Sequence, residues 1–335
     1  MRAFFDPRQF EHRPLRELHN GDWTAHVETP ARAQRILDAL GEVEAAKDFG
    51  REPIARVHDA GYLAFLESAF ARWREAGRPG DAIGYIYPVV RRRELDLSRI
   101  DALVGRYSMD GGTPIAEGTW TAALASAQTA LTALDAVTSA GARHSFALCR
   151  PCGHHAGADY LGGYCYLNNA AIVAEAARAQ GAARVAVIDV DYHHANGTQD
   201  IFYARGDVFT LSLHADPRTD YPFYWGHPDE PGEGAGAGAN LNLPLPQGTE
   251  IDAYLDALAR GLEAVSAFDP ELVVVSYGAD TYIDDPISGF RIRTHDYPLI
   301  ARAISALGRP TVIVMEGGYD VDSIGRNVVA FLQGF

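Results

Sequence analysis

Between Val185 and Thr198 an apolar run breaks into Asp189, Asp191, the adjacent pair His193 and His194, and Gly197. Side chains two apart on an extended chain point the same way, so Asp189, Asp191 and His193 share one side if extension continues that far. Two carboxylates and an imidazole there make half of a metal site. Asp280, which follows Gly278 and Ala279, completes a set of Asp191, His193 and Asp280. Such a set leaves tetrahedral Zn2+ one open position, as catalytic zinc sites do, and a water there can have a pKa of ~7. Fe2+ or Co2+ suits the same donors, so the site is better defined than the metal.

Other stretches carry groups that could act beside a metal. Arg150-Pro-Cys-Gly-His-His155 holds adjacent imidazoles, which cannot bind one ion as helix neighbours would. They suit a different division of labour, one as general base toward the attacking water and the other holding charge beside it. Each needs an orienting acceptor, and Asp189 and Asn196 are available. In Glu316-Gly-Gly-Tyr319 the glycines Gly317 and Gly318 let the backbone approach a ligand and aim the phenol inward, where it could donate to a developing oxyanion. Singly, each is an ordinary residue: an aspartate caps a turn, a histidine pair lies on a surface, a tyrosine packs.

The elements that would position these groups argue against that reading. Apolar runs at 145–149, 185–189, 272–277 and 311–315 read as strands, and each runs directly into one of the four motifs. Unbroken Val/Ile runs are typical of parallel strands buried on both faces, and ligand crevices in such sheets lie beyond the carboxyl ends. A further strand is expected at 208–213, and helices at 32–40, 58–76, 121–137, 169–179, 250–268, 297–307 and 321–332. The alternation predicts an α/β fold, a parallel sheet with helices on both faces. No tract reads as a linker, so 1–335 is read as one domain. The segment 77–98, with Pro79, Gly80, Gly84, Pro88 and the basic run 91–93, reads as a long loop, which is usually functional, a contact surface, or flexible. The glycine-rich stretch 232–240 lacks a strand that feeds a helix, so it is not a dinucleotide fingerprint.

Composition narrows the partners. A net charge of −15 argues against nucleic acid and anionic membranes, and it could steer a cationic substrate, although an acidic surface most often serves solubility. No stretch approaches ~18 uninterrupted apolar residues, and the N-terminus lacks the apolar core of a signal peptide. Three cysteines in a chain without an export signal point to a reducing compartment, the cytoplasm.

Taken together, Arg150-Pro-Cys-Gly-His-His-Ala156, Gly163-Tyr-Cys-Tyr-Leu-Asn168, Asp189-Val-Asp-Tyr-His-His-Ala-Asn-Gly-Thr-Gln199, Leu211-Ser-Leu-His214, Gly278-Ala-Asp280 and Glu316-Gly-Gly-Tyr319 resemble the successive motifs of the arginase/deacetylase superfamily. Within it, the chain resembles histone-deacetylase-like amidohydrolases, most closely the bacterial acetylpolyamine amidohydrolases. Thr113-Pro-Ile-Ala-Glu-Gly-Thr-Trp120, Tyr221-Pro-Phe-Tyr-Trp-Gly226 and Asp284-Asp-Pro-Ile-Ser-Gly-Phe290 carry the narrower resemblance, which runs from about Val57 to the C-terminus.

The resemblance implies a zinc-dependent hydrolase that removes acetyl groups from small cationic acetylated amines, such as acetylputrescine, acetylcadaverine or acetylspermidine. Asp191, His193 and Asp280 match its zinc ligands, His155 its general base and acid, His154 the electrostatic partner, and Tyr319 the residue that polarises the carbonyl. Gly163 would accept the substrate amide N–H through its carbonyl, Tyr164 and Tyr221 would flank a narrow tunnel, and Ile287 would lie near its wall. Asp189, Ser212 and the carbonyls of Asp191, His193 and Leu213 match a structural K+ site, with a second at Phe202, Arg205 and Val208. Glu117, or an acid of the Asp284-Asp285 pair, could meet the substrate's cation; Glu117 could equally cap the following helix. The 77–98 segment would build a homodimer and narrow the tunnel.

Two residues depart from the pattern. Cys152 stands where such sequences usually have proline, giving Cys149-x-x-Cys152, which can be redox-active or metal-binding but reads more simply as two buried small residues. Asn196 replaces the aspartate of class I deacetylases, so His155 has a neutral partner and a lower pKa than a carboxylate would give. Two alternatives remain: a protein or peptide lysine deacetylase, and a catalytically silent binding protein on the same fold. An arginase-like two-metal ureohydrolase fits less well, because it has no use for the His-His and Gly-Gly-Tyr motifs.

Overall fold

Alternate residues of each central strand serve opposite layers. Val185 and Val187 pack into one core, and Ala186 and Ile188 into the other. Val274 is divided in the same way from Val273 and Val275, and Val312 and Val314 from Ile313 and Met315. Both faces are therefore apolar, which is why these segments read as unbroken runs.

A computed structural model, describing residues 1–88 and 96–335, places these strands in an eight-stranded parallel sheet. In chain order the strands are β1 (Arg2–Phe5), β2 (Arg16–His19), β3 (Asp22–Ala25), β4 (Glu44–Ala45), β5 (His144–Ala147), β6 (Val185–Asp189), β7 (Val208–Ala215), β8 (Asn240–Leu245), β9 (Leu272–Tyr277) and β10 (Thr311–Met315). The sheet order is β4-β1-β5-β10-β9-β6-β7-β8, while β2 and β3 form a separate antiparallel hairpin. From β5 the chain crosses to β6, works outward to β8, then returns to insert β9 and β10 into the gap. As a result β5, β10, β9 and β6, the four strands that end in chemistry, are consecutive neighbours. Their carboxyl ends form one rim.

Helices cover both faces. Thr119–Thr138 and Asn169–Ala179 supply Ala127, Leu131, Leu134, Ile172 and Val173 to one core. Pro30–Leu40, Ile251–Phe268, Tyr297–Ser305 and Ile324–Leu332 supply Ile36, Leu258, Ile300 and Phe331 to the other. The helix expected at 169–179 has those bounds because Asn168 caps it, its side chain accepting from Ala171 N–H at 2.9 Å.

Some expectations differ from the structure. Extension stops at Asp189, and a helix begins at Asn196. The last helix starts at Ile324 rather than Val321. Within the 77–98 segment Ala82 pairs antiparallel with Ile115, while the basic run 91–93 lies outside the described residues. Strands β1, β2, β3, β4 and β8 were not expected.

Candidate metal centre and active site

Asp191 and His193 lie in the irregular turn after β6, and Asp280 follows β9. Asp191 Oδ1 accepts from His193 N–H and Asp191 Oδ2 from Gly317 N–H, both at 2.8 Å. Asp280 Oδ1 accepts from Tyr192 N–H at 3.0 Å. The remaining Asp280 Oδ2 lies 3.2 Å from His193 Nδ1, which is also 3.3 Å from Asp191 Oδ1. The turn thus brings together the three expected ligands without the extended backbone anticipated for it. Glycine is required around them: a Cβ on Gly278 would lie 2.0 Å from Asp191 Oδ2, and one on Gly317 would lie 2.3 Å from Asp280 Oδ2.

The electrostatics fit a cation. Asp280 is pushed up to about 7, first by burial and then by the adjacent Asp191 carboxylate. Burial pushes Asp191 the same way, but His154 and His193 outweigh it and hold Asp191 below the usual carboxylate range. His193 is raised to about 10, burial opposing its charge while the hydrogen bonds to Asp191 and Asp280 overcome it. Two buried carboxylates thus draw their balance from His193 and the nearby His154, and a divalent ion bound by Asp191, His193 and Asp280 would replace the proton on His193.

Two other buried groups bring three metal-type donors within 4.8 Å: His12, His26 and Glu28, and Cys152, Cys165 and Glu316. Glu28 is already paired with Arg32 and Arg150, so an ion there would bring unbalanced charge. Glu316 is turned to other donors, accepting from Gly153 and His154 N–H and from Ser276 Oγ. Asp191, His193 and Asp280 have no guanidinium or ammonium partner among the described residues.

The histidine pair lies beside this cluster, its ring centroids 4.0 Å apart. The two candidate acceptors divide between them: His154 Nδ1 is 3.1 Å from Asp189 Oδ2, and His155 Nδ1 is 2.6 Å from Asn196 Oδ1. Burial opposes a charge on His154, but Asp191 and Asp189 outweigh it and raise its pKa well above the usual value. His155 is held well below the usual value, first by burial and then by His154 and His193. One imidazole is built to carry charge, its neighbour to be neutral.

Gly318, at φ +120°, turns the chain so that Tyr319 is buried here. Asp285 accepts from Tyr319 N–H at 2.6 Å, and the Arg32 guanidinium stacks 4.8 Å from the phenol ring. The Tyr164 ring meets Tyr319 edge-on at 5.6 Å, and the Tyr221 ring meets His155 edge-on at 5.1 Å. Gly163, at φ +53°, runs so close to His155 that a Cβ would lie 2.1 Å from its Cδ2. Ile287 is half-buried, its N–H donating to Asp285 Oδ1 at 3.1 Å.

Of the acids weighed for substrate, Glu117 is exposed just before the Gly118 helix cap, Asp284 is exposed, and Asp285 is buried against backbone N–H groups. Two carboxylates that sequence reasoning missed touch the residues expected to flank the tunnel: Glu17 Oε1 accepts from Tyr164 OH at 3.0 Å, and Asp110 meets Gly163 and Tyr221. Asp110 Oδ2 accepts from Gly163 N–H at 2.7 Å and from Tyr221 OH at 2.8 Å.

Asp189 and Ser212 are register partners across β6 and β7, and Leu213 follows in β7. Phe202 ends the Asn196–Phe202 helix, its carbonyl accepting from Arg205 N–H at 2.9 Å, and Val208 opens β7. Cys149 and Cys152 are both buried, and Cys152 Sγ lies 3.4 Å from Cys165 Sγ rather than beside Cys149.

Comparison with known proteins agrees with this architecture. The histone deacetylase domain family matches residues 26–335. Acetylpolyamine amidohydrolase 1 of Pseudomonas aeruginosa is 50% identical over 327 residues, covering 95% of this chain and 94% of that protein. The acetylpolyamine amidohydrolase of Mycoplana ramosa is 44% identical over 339 residues, covering 100% and 99%. The crystal structure of acetylpolyamine aminohydrolase from Burkholderia pseudomallei superposes with a TM-score of 0.95 at 43% identity, covering 100% of this chain and 98% of that one. With its four motif-bearing strands side by side and this match over nearly the whole chain, the protein belongs to the histone deacetylase domain family.

Proposed function

We propose that the chain is a zinc-dependent amidohydrolase that removes acetyl groups from small acetylated polyamines, giving acetate and the free amine. The observation that carries the chemistry is the buried Asp191–His193–Asp280 cluster flanked by a charged and a neutral imidazole. Relatives named for acetylpolyamines, 43–50% identical over nearly full length, support the substrate class.

Asp191, His193 and Asp280 would hold the metal, which when bound supplies Lewis acidity toward the acetyl carbonyl and toward water. Asn196 Oδ1 accepts the Nδ1 proton of His155, so His155 Nε2 presents a lone pair and takes a proton from the attacking water. Tyr319 donates its phenolic hydrogen to the oxyanion that develops on the acetyl oxygen. The Gly163 carbonyl accepts the substrate amide N–H and fixes its orientation. A histidine of the pair protonates the leaving amine, while His154, held by Asp189, keeps positive charge beside the reacting carbon.

In the same reading residues 1–335 form one amidohydrolase domain, and Asp189, Ser212 and the carbonyls of Asp191, His193 and Leu213 hold structural K+. Phe202, Arg205 and Val208 hold a second. The 77–98 segment builds a homodimer, which light scattering tests. No helix among the described residues is long and apolar enough to cross a membrane. The cysteine usage supports the cytoplasm as the compartment in this reading.

Metal removal tests the chemistry. Acetate release from acetylputrescine should be lost on chelation and return with Zn2+; turnover that survives complete metal removal would overturn the reading.

A further inference from the structure

Among the described residues, Asp110 is a carboxylate oriented by neutral donors and without a cationic partner. Among the described residues its carboxylate accepts four hydrogen bonds: Gly163 N–H and Tyr221 OH at Oδ2, and Gly112 N–H at 3.0 Å and Thr113 OH at 2.8 Å at Oδ1. All four donors are neutral. Among the described residues no arginine, lysine or histidine forms an ion pair with it, although many of the chain's other acids are paired with an arginine. A carboxylate satisfied by neutral dipoles keeps its full charge and its position, so the counter-ion can come from a ligand.

The place of this charge defines the ligand. Tyr221 spans from Asp110, at its hydroxyl, to His155, where its ring packs edge-on at 5.1 Å. Gly163 spans the same interval along the backbone, with Asp110 on its N–H and the His155 ring against its Cα. Thr113 Oγ1 extends the brace by accepting from Tyr164 N–H at 3.0 Å. Asp110 therefore sits one residue's length from the His155 imidazole, at the far end of Tyr221. A substrate whose amide bonds the Gly163 carbonyl and whose methylene chain runs along Tyr221 would bring a terminal cation to this carboxylate.

We propose that Asp110 is the binding site for the distal ammonium of the acetylated amine and sets the enzyme's preference for cationic over neutral amides. This rests on the deacetylase reading above. It assigns to Asp110 the place that Glu117 and the Asp284-Asp285 pair were considered for. Because the same carboxylate orders Gly163 and Tyr221, substrate charge and wall geometry meet at one residue.

The test separates charge from bracing. kcat/KM is measured on acetylputrescine and on N-butylacetamide, which has the same chain without the ammonium, for the zinc-loaded wild type, Asp110→Asn and Asp110→Glu. The wild type should prefer acetylputrescine, and added salt should reduce the preference. Asp110→Asn should lower that preference by roughly 10-fold, equivalent to ~1.4 kcal/mol, and remove most of its salt dependence. Asp110→Glu should keep a preference for the cation. An equal loss on both substrates in Asp110→Asn, or an unchanged preference, would overturn the proposal and leave Asp110 as a brace only. If Asp110→Asn does not fold, Asp110→Glu must change the relative rates on acetylputrescine and acetylcadaverine, because the anchor has moved; unchanged relative rates would also overturn it. A wild type that hydrolyses neither small amide would instead overturn the deacetylase reading on which it rests.

Discussion

Asn196 Oδ1 accepts a 2.6 Å hydrogen bond from His155 Nδ1. The same amide donates to the His155 carbonyl at 3.3 Å and to the Tyr160 hydroxyl, which fixes its orientation. A neutral acceptor selects the tautomer of the base without adding charge to it, whereas Asp189 gives His154 both orientation and charge.

Asn196→Asp should therefore alter the pH profile. A carboxylate at this position stabilises the imidazolium, raises the pKa of His155, and leaves less of the neutral base at a given pH. The acid limb of kcat/KM should move to higher pH by about one unit, the scale of a single adjacent charge in a hydrated protein site. A pH–rate series on acetylputrescine measures it, and an unmoved acid limb would mean that His155 is not the group titrating there.

Tyr319→Phe should leave the metal bound and reduce kcat strongly. Loss of one preorganised oxyanion donor costs about 100- to 1,000-fold in comparable sites. Metal content by elemental analysis, read beside kcat, separates a lost donor from a lost metal. Full activity in this variant would remove Tyr319 from the mechanism.

Gly163→Ala should damage catalysis while sparing the metal. The new Cβ meets His155 Cδ2 at 2.1 Å and sits on a backbone with φ +53°, so either the imidazole or the Gly163 carbonyl, proposed to hold the substrate amide, must move. A displacement of this size costs on the order of 100-fold in kcat/KM. Normal turnover would show that the close approach is not needed.

Acid stability should depend in part on His58, far from the metal cluster in sequence. Its Nε2 accepts from Asn168 N–H at 2.9 Å, and its pKa is pushed down to about 4, first of all by burial. The unfolded chain binds this proton near pH ~6.5, the folded chain only near pH 4. Stability from keeping His58 neutral is therefore complete above that upper value and is lost as pH falls toward the lower one, by up to ~3 kcal/mol. Urea titrations of wild type and His58→Gln across this range should show a shallower pH dependence in the variant, and identical slopes would exclude His58 as the source.

Much of the site was legible because each motif ends a strand that had to be apolar on both faces. Asp191, His193, Asp280, His154, His155 and Tyr319 come together because β5, β10, β9 and β6 are neighbours, and local runs were sufficient to find those strands. Where long-range pairing decides the structure, the sequence was less informative. Strand β8 alternates Asn240, Asn242 and Pro244 with leucines, next to a glycine-rich stretch, and gains strand character only by pairing with β7. Asp110 lies in a loop with no motif, and its contacts reach to Gly163 and Tyr221 across the chain. Cys152 likewise meets Cys165 because the turn at Gly162 folds back, a proximity that Cys149-x-x-Cys152 spacing does not reveal.

Substrate preference tests the central claim most directly. For the zinc-loaded protein, kcat/KM on acetylputrescine, acetylcadaverine and acetylspermidine should exceed that on an acetyl-lysine peptide. Preference for the peptide would contradict the polyamine assignment and the tunnel narrowed by a homodimer, although the metal chemistry would stand; no acetate from any of the four would contradict the enzyme itself.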